Sequence, residues 1–258
     1  MIRYAFLMQI RKRSLWISTA VLAVAIVVLQ GDRGPRYVPA GTPARIVMTN
    51  WAVLFGVLLP LGFGMVLADR LVRDRRLGVG RILDSLPTGP RALVVGRYVG
   101  SVAATAVAGL ATMLVAAGFE FASRRDIALF GWAFVAFALV MLPGLLFVGA
   151  FAVVAPMLIT APLFRILYVG YWFWGNMLSP LFLPSLTGTL LTPIGDYAAS
   201  WLLGETALYA GVDGILPWLR PEVGAPAVAA SVGTLVLLAL IVVLLIGPPL
   251  YRRQQQSA

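Results

Sequence analysis

The chain has 258 residues, of which 60% are hydrophobic and only 12% charged, and its mean hydropathy is +0.93. A soluble domain carries about 25% charged residues, so this balance excludes an ordinary globular domain and indicates a polytopic membrane protein. With no cysteine and no histidine, disulfides, thiolate metal sites and the commonest metal ligand are absent. The net charge of +10 does not indicate nucleic acid, because the basic residues interrupt apolar runs, which is how membrane topology is written.

In chain order, residues 1–13 read as a basic, apolar interfacial helix of imperfect amphipathicity. Arg11, Lys12 and Arg13 precede an apolar run from Leu15 to Leu29, a pattern resembling a signal peptide. However, Asp32, Arg33 and Arg36 separate that run from the cleavage-like Val38 to Ala40. Residues 14–30 are therefore expected to be a retained first span. Residues 46–68 form the second span and residues 92–118 the third.

The stretch from Ile127 to Phe164 holds no charge. A helix that long would measure about 57 Å, against a hydrocarbon core of about 30 Å. It must fold back, and Pro156, Pro162 and Arg165 mark the turn, giving spans at 127–153 and 164–186. Residues 187–226 are apolar but broken by Gly195, Gly204, Gly211, Gly214 and Pro217. They read as a re-entrant outer segment with Trp201 and Trp218 at headgroup level. Residues 227–250 complete six spans in a single domain, 1–258. The expected fold is all-α.

Orientation follows the basic residues. With the N-terminus inside, the inner segments gather Arg3, Arg11, Lys12, Arg13, Arg70, Arg73, Arg75, Arg76, Arg81, Arg91, Arg97, Arg165, Arg252 and Arg253. The outer ones keep Arg33, Arg36, Arg45, Arg124, Arg125 and Arg220. The positive-inside rule then predicts cytoplasmic N- and C-termini.

The inner segment between spans two and three contains RRLGVGRILDSLPTGPR, from Arg75 to Arg91. Val79, Ile82, Leu83 and Leu86 fall at i, i+3, i+4 and i+7, one face of a two-turn helix, with Arg81, Asp84 and Ser85 turned away. Pro87 ends it, and Gly89–Pro90 suits the cap and first turn of span three. So short a helix is unstable alone in water. Its ridge must dock, either on lipid headgroups through Arg75, Arg76 and Arg91, or in a groove on a cytoplasmic partner.

Asp74, then Gly78, then Leu83-x-Ser85-x-Pro87, Arg91 and GRYVG entering the next span resemble the permeases of type-2 ATP-binding-cassette (ABC) exporters. Departures are Asp74 where that family usually has Glu, Arg97 where it often has Lys, and a missing second acidic residue around Arg81. The resemblance implies a coupling helix over 79–87 that docks on an ATP-hydrolysing subunit through Val79, Arg81, Ile82, Leu83, Asp84, Leu86 and Pro87. It implies a bacterial-type plasma (inner) membrane, two ATP-binding subunits, and a second permease chain, identical or merely similar. It also implies that spans two and five line a central cavity, with Phe55, Phe63, Trp172, Trp174 and Asn176 facing a hydrophobic or amphipathic substrate such as a drug, peptide antibiotic or lipid.

No G-x-x-x-x-G-K-[ST] phosphate loop occurs in the chain, so no cofactor is expected on it, and ATP and Mg belong to the partner. The expectation is a transport subunit and not an enzyme, since no nucleophile–base pattern appears. The alternatives are an ion-coupled secondary carrier, for which mid-bilayer ionisable residues are lacking, and a non-catalytic scaffold. Two packing signals remain. Gly96, Gly100, Ala104 and Ala108 recur every four residues in span three, and Gly56, Pro60 and Gly64 share a face of span two, both favouring close helix approach.

Overall fold

The computed structural model describes residues 1–30, 38, 39, 41–68, 89–205 and 208–256. The coupling segment at 79–87, with Val79, Arg81, Ile82, Leu83, Asp84, Leu86 and Pro87, lies outside the described residues. Among those described, the chain is all-helical with no strand. The helices are α1 (Ile2–Ile10), α2 (Arg13–Gln30), α3 (Ala44–Leu67), α4 (Pro90–Arg124), α5 (Ala128–Ala136), α6 (Leu142–Val154), α7 (Ala161–Asn176), α8 (Asp196–Leu203), α9 (Ala225–Ile241) and α10 (Gly247–Gln256).

Four stretches are long and apolar enough to cross a bilayer: Ala44–Leu67, Pro90–Arg124, Ala128–Met157 and Ala225–Arg253. They give the chain multi-pass membrane character. Helix α2 is apolar but shorter, and α7 has 16 residues, which is about 24 Å of rise. The span expected at 164–186 is therefore shorter than the sequence reading. It starts at Ala161 and stops at Asn176, because Ser179–Pro180 and Pro184 follow and a residue before proline is pushed out of the helical region. At the other end, Pro162 sits in the first turn of α7, where a missing N–H costs nothing. Helix α4 runs well past the expected 92–118. Pro90 occupies its first turn, and Arg125 closes it in a left-handed conformation with φ 56°.

Two π-helical turns interrupt otherwise continuous helices, at Phe137–Met141 and Val242–Ile246. Each is followed by proline, Pro143 in one case and Pro248–Pro249 in the other. A proline ring inside a helix clashes with the carbonyl four residues earlier and removes one hydrogen bond. A widened turn just before it relieves that clash.

The small-residue pattern of span three has an occupant within the chain. A Cβ on Gly96 would lie 2.9 Å from the Cβ of Met1, and one on Gly100 would lie 2.6 Å from that of Ala5 and from the Ile2 carbonyl oxygen. Helix α1 thus lies directly on the bare backbone of α4, so it is more than a lipid-surface anchor. Likewise Leu22 of α2 fills the space above Gly62, and Val102 of α4 the space above Gly149.

Replacing Gly100 by Val should detach α1, at a cost of about 1–3 kcal/mol for overpacking. A spin label on Phe6→Cys, in a chain free of other thiols, would gain mobility. Gly118→Val, where nothing lies within 4 Å, should leave the label immobile.

Candidate functional site

Helix α7 carries three of its six aromatic residues on one buried stripe. Phe164, Tyr168, Trp172 and Asn176, each four residues apart, are buried, while Arg165, Leu167, Phe173 and Trp174 are more open. The stripe meets the small-residue face of α3. Gly64 leaves room for the Tyr168 ring, where a Cβ would collide. The Tyr168 hydroxyl donates to the Pro60 carbonyl at 2.9 Å, and the Trp172 indole N–H donates to the Val57 carbonyl at 2.8 Å. Pro60 disturbs the α3 ladder by lacking an N–H, and α7 brings two side-chain donors to the same turn. In an apolar surrounding such bonds replace water that cannot reach the backbone.

The five residues expected to face a substrate path thus have distinct positions. Phe63 is 1% exposed and Trp172 0%, both inside the chain. Phe55 is also buried and tilts against Trp51 at 5.3 Å between ring centres. Asn176 is buried, donating through Nδ2 to the Trp172 carbonyl at 3.0 Å, while its Oδ1 has no partner. Trp174 is 42% exposed, with its N–H on the Pro184 carbonyl at 2.9 Å.

Beyond α7 the chain turns back into the bundle. The carbonyl of Pro193 packs directly on Gly144 of α6, the Ile194 carbonyl faces Gly56 of α3, and Gly195 lies on the Val140 carbonyl in the first π-helical turn. Gly195 has φ +72° and a Cβ there would collide with Val140, so only glycine meets both demands. Gly56 is about half-way along α3, so the inserted tip reaches the middle of that helix.

This irregular segment pairs most of its buried polar side chains from within, although the buried Thr187 hydroxyl has no partner among the described residues. The Arg220 guanidinium donates to three carbonyls: Ile215 at 3.0 Å, Val212 at 3.0 Å and Ser185 at 3.1 Å. Gly214 admits it, since a Cβ would stand 2.9 Å from the guanidinium carbon. Thr189 and Thr192 both donate to the Leu186 carbonyl, at 2.8 and 2.9 Å, and the Tyr197 hydroxyl donates to the Gly188 carbonyl at 3.1 Å. Asp196, at the first position of α8, accepts the Tyr209 amide at 2.9 Å, with Ser200 Oγ 3.5 Å away. Burial pushes the Asp196 carboxyl up to about 6, although the Tyr209 and Leu208 amides and Ser200 pull it down.

A second polar cluster joins α3 to α4. The Trp51 indole N–H donates to Glu120 Oε1 at 3.0 Å, and Arg124 Nε to Glu120 Oε2 at 2.8 Å. Arg124 also donates to the carbonyls of Val38, at 2.8 Å, and Pro39, at 3.3 Å. The sequence reading passed over both clusters. Glu120 and Arg124 stand at i, i+4, a spacing that marks a helical ion pair. Arg220 and Asp196 carry no such local signal, because their partners come from up to 35 residues away. Among the described residues no group of acidic side chains could hold a metal ion. Comparison with protein-family models and with curated proteins finds no match.

An Asp whose folded value lies above its unfolded value of 3.8 favours folding most strongly below the latter. That contribution is lost as pH rises through about 6. The thermal midpoint of the purified protein should therefore fall between pH 4 and 7, by the equivalent of up to about 3 kcal/mol. Asp196→Asn, which keeps an acceptor oxygen and never ionises, should flatten that slope.

Proposed function

We propose that the chain is the permease subunit of an ATP-driven ABC transporter, moving a hydrophobic or amphipathic substrate outward with ATP hydrolysed on a separate chain. What supports this reading is a sequence pattern between Arg75 and Arg91: Val79, Ile82, Leu83 and Leu86 spaced i, i+3, i+4 and i+7 ahead of Pro87, in a sequence without a phosphate loop. A membrane protein with no fuel site of its own and a short docking ridge is suited to receive force from a partner.

In this reading α2 and α7 are the two further spans, making six with the four longer ones, and both termini and residues 79–87 face the cytoplasm. A pair of ATP-binding subunits closes on ATP and Mg, presses on the two coupling helices, and rocks two permease chains between inward- and outward-open states. Helix α1 moves with α4 because it lies on Gly96 and Gly100. Helix α7 is tied to the kinked turn of α3 by Tyr168 and Trp172. Displacement at the inner ends is thereby transmitted through packed helices. The inserted tip at Pro193–Gly195 packs on α3, α6 and the first π-helical turn, and in this reading it moves with them. The membrane is a bacterial-type plasma membrane, and the basic inner segments set the orientation.

Co-purification with the ATP-binding chain tests the reading. Leu83→Asp with Leu86→Asp should abolish the complex and the stimulation of ATP hydrolysis by substrate, since hot-spot apolar contacts each contribute about 2 kcal/mol or more. A retained complex with undiminished stimulation contradicts docking at this helix. Substrate uptake into liposomes driven by an ion gradient alone would favour a secondary carrier instead.

A further inference from the structure

Helices α1 and α10, from opposite ends of the described chain, meet on the first turns of α4. A Cβ on Gly96 would stand 2.9 Å from that of Met1, and Gly100 receives Ile2 and Ala5, so α1 lies there. Helix α10 arrives beside it. A Cβ on Gly247 would stand 2.8 Å from the Val94 side chain, and the Arg97 guanidinium lies 6.0 Å from the centre of the Tyr251 ring. This packing gathers Arg3 of α1, Arg91 of α4, and Arg252 and Arg253 of α10 at one end of the bundle. All four are exposed, and among the described residues none of them makes an ion pair.

The chain has too few acids at this end to neutralise them. Residues 1–30, 89–119, 127–195 and 225–258 contain no Asp or Glu. The link over 69–88, which lies outside the described residues, leads into α4 here. It holds Asp69, Asp74 and Asp84 against Arg70, Arg73, Arg75, Arg76 and Arg81, so it adds net positive charge whatever its course. The surface beside the four arginines is apolar and open. Ile2, Tyr4 and Met8 of α1 are exposed, and Leu244, Leu245 and Ile246 lie exposed within about two turns of Arg252. The stretch Ala225–Arg253 is long and apolar enough to cross a bilayer, so Arg252 and Arg253 stand where it leaves the hydrocarbon. A cation with its stem on apolar surface at that border reaches the phosphate layer. An acidic protein would answer the charges alone. A phospholipid answers both, with phosphate for the arginines and alkyl chains for the apolar residues.

We infer that this joint of α1, α4 and α10 binds anionic phospholipid head groups through the guanidinium groups of Arg3, Arg91, Arg252 and Arg253. Guanidinium suits the task, since its planar fork of donors matches the oxygens of a phosphate. A lipid without net charge brings an ammonium along with its phosphate, and the cluster has no free acid to receive it. The inference requires only that the chain is embedded in a bilayer; it does not depend on an ATP-binding partner.

The test uses the full chain in phosphatidylcholine vesicles holding a trace of phosphatidylglycerol or phosphatidylcholine, spin-labelled on one acyl chain. The fraction of each label slowed by the protein gives their relative association. Phosphatidylglycerol should associate about threefold more strongly, the scale of one exposed ion pair. Raising the salt from about 0.1 M to about 1 M shortens the screening length from about 10 Å to about 3 Å and should remove that preference without any substitution. Arg3→Gln with Arg91→Gln, and Arg252→Gln with Arg253→Gln, should each lower it, and the fourfold variant should abolish it. Arg45→Gln with Arg125→Gln, at the end where α3 starts and α4 stops, should leave it unchanged. Equal association of the two labels would overturn the inference. So would a preference that persists in high salt or in the fourfold variant, or one lost on replacing Arg45 and Arg125. Loss of an ATP-binding chain from the fourfold variant, with the lipid preference intact, would overturn it too by assigning these arginines to a protein.

Discussion

Backbone polar groups in a bilayer must find partners inside the protein, because no water is there to supply them. The helices meet this demand within themselves; the segment from Ser179 to Pro221 does not. It is tolerable only because Arg220 gathers three carbonyls, Thr189, Thr192 and Tyr197 take others, and Asp196 accepts an amide. With these groups paired and the Thr187 hydroxyl the exception, the segment presses its Pro193–Gly195 tip into the bundle. The bare backbones of Gly56 and Gly144 receive it, and Gly195 supplies the left-handed turn. The packing of α3, α5, α6 and α8 around that tip follows from this arrangement.

The same principle governs the other seams. Pro60 removes one donor from the α3 ladder, and Tyr168 and Trp172 of α7 bond the Pro60 and Val57 carbonyls in the same turn. Pro143 disturbs the α5–α6 helix, and a π-helical turn answers, placing the Val140 carbonyl beside Gly195. Each proline falls where another element arrives. Sharp bends in helices occur at proline and at π-helical turns. Two such turns, at Pro60 and at Phe137–Met141, lie beside the inserted tip.

Much of this was legible in the residues. The four long apolar helices, the all-α class and the irregular segment after α7 follow from charge-free runs and from glycine and proline placement. The recurrences of Gly96–Gly100 and Gly56–Pro60–Gly64 announced close approach, although only the coordinates reveal that α1 lies on the first and that Tyr168 with the 193–195 tip lies on the second. The extent of α7 was misjudged because apolar residues continue past Asn176, and hydropathy alone does not register the stop imposed by Ser179–Pro180. Of the residues expected along a substrate path, Phe55, Phe63, Trp172 and Asn176 are buried within one chain and Trp174 is exposed. An indole N–H deep in a span needs an acceptor, and which carbonyl supplies it is a long-range fact. The Arg220 clamp was illegible for the same reason, since its carbonyls are arranged by the fold and leave no residue-type signature.

Inserted tip or surface loop is the question on which the account turns, and the absence of native cysteine makes it directly measurable. Single-cysteine variants at Ile194, 1% exposed, and at Trp218, 72% exposed, would be treated in sealed vesicles of each orientation with a membrane-impermeant maleimide. The account predicts rapid labelling at Trp218→Cys from one side only, and none at Ile194→Cys from either side until the protein is denatured. Labelling of Ile194→Cys at the rate of Trp218→Cys would place the tip in water and contradict it.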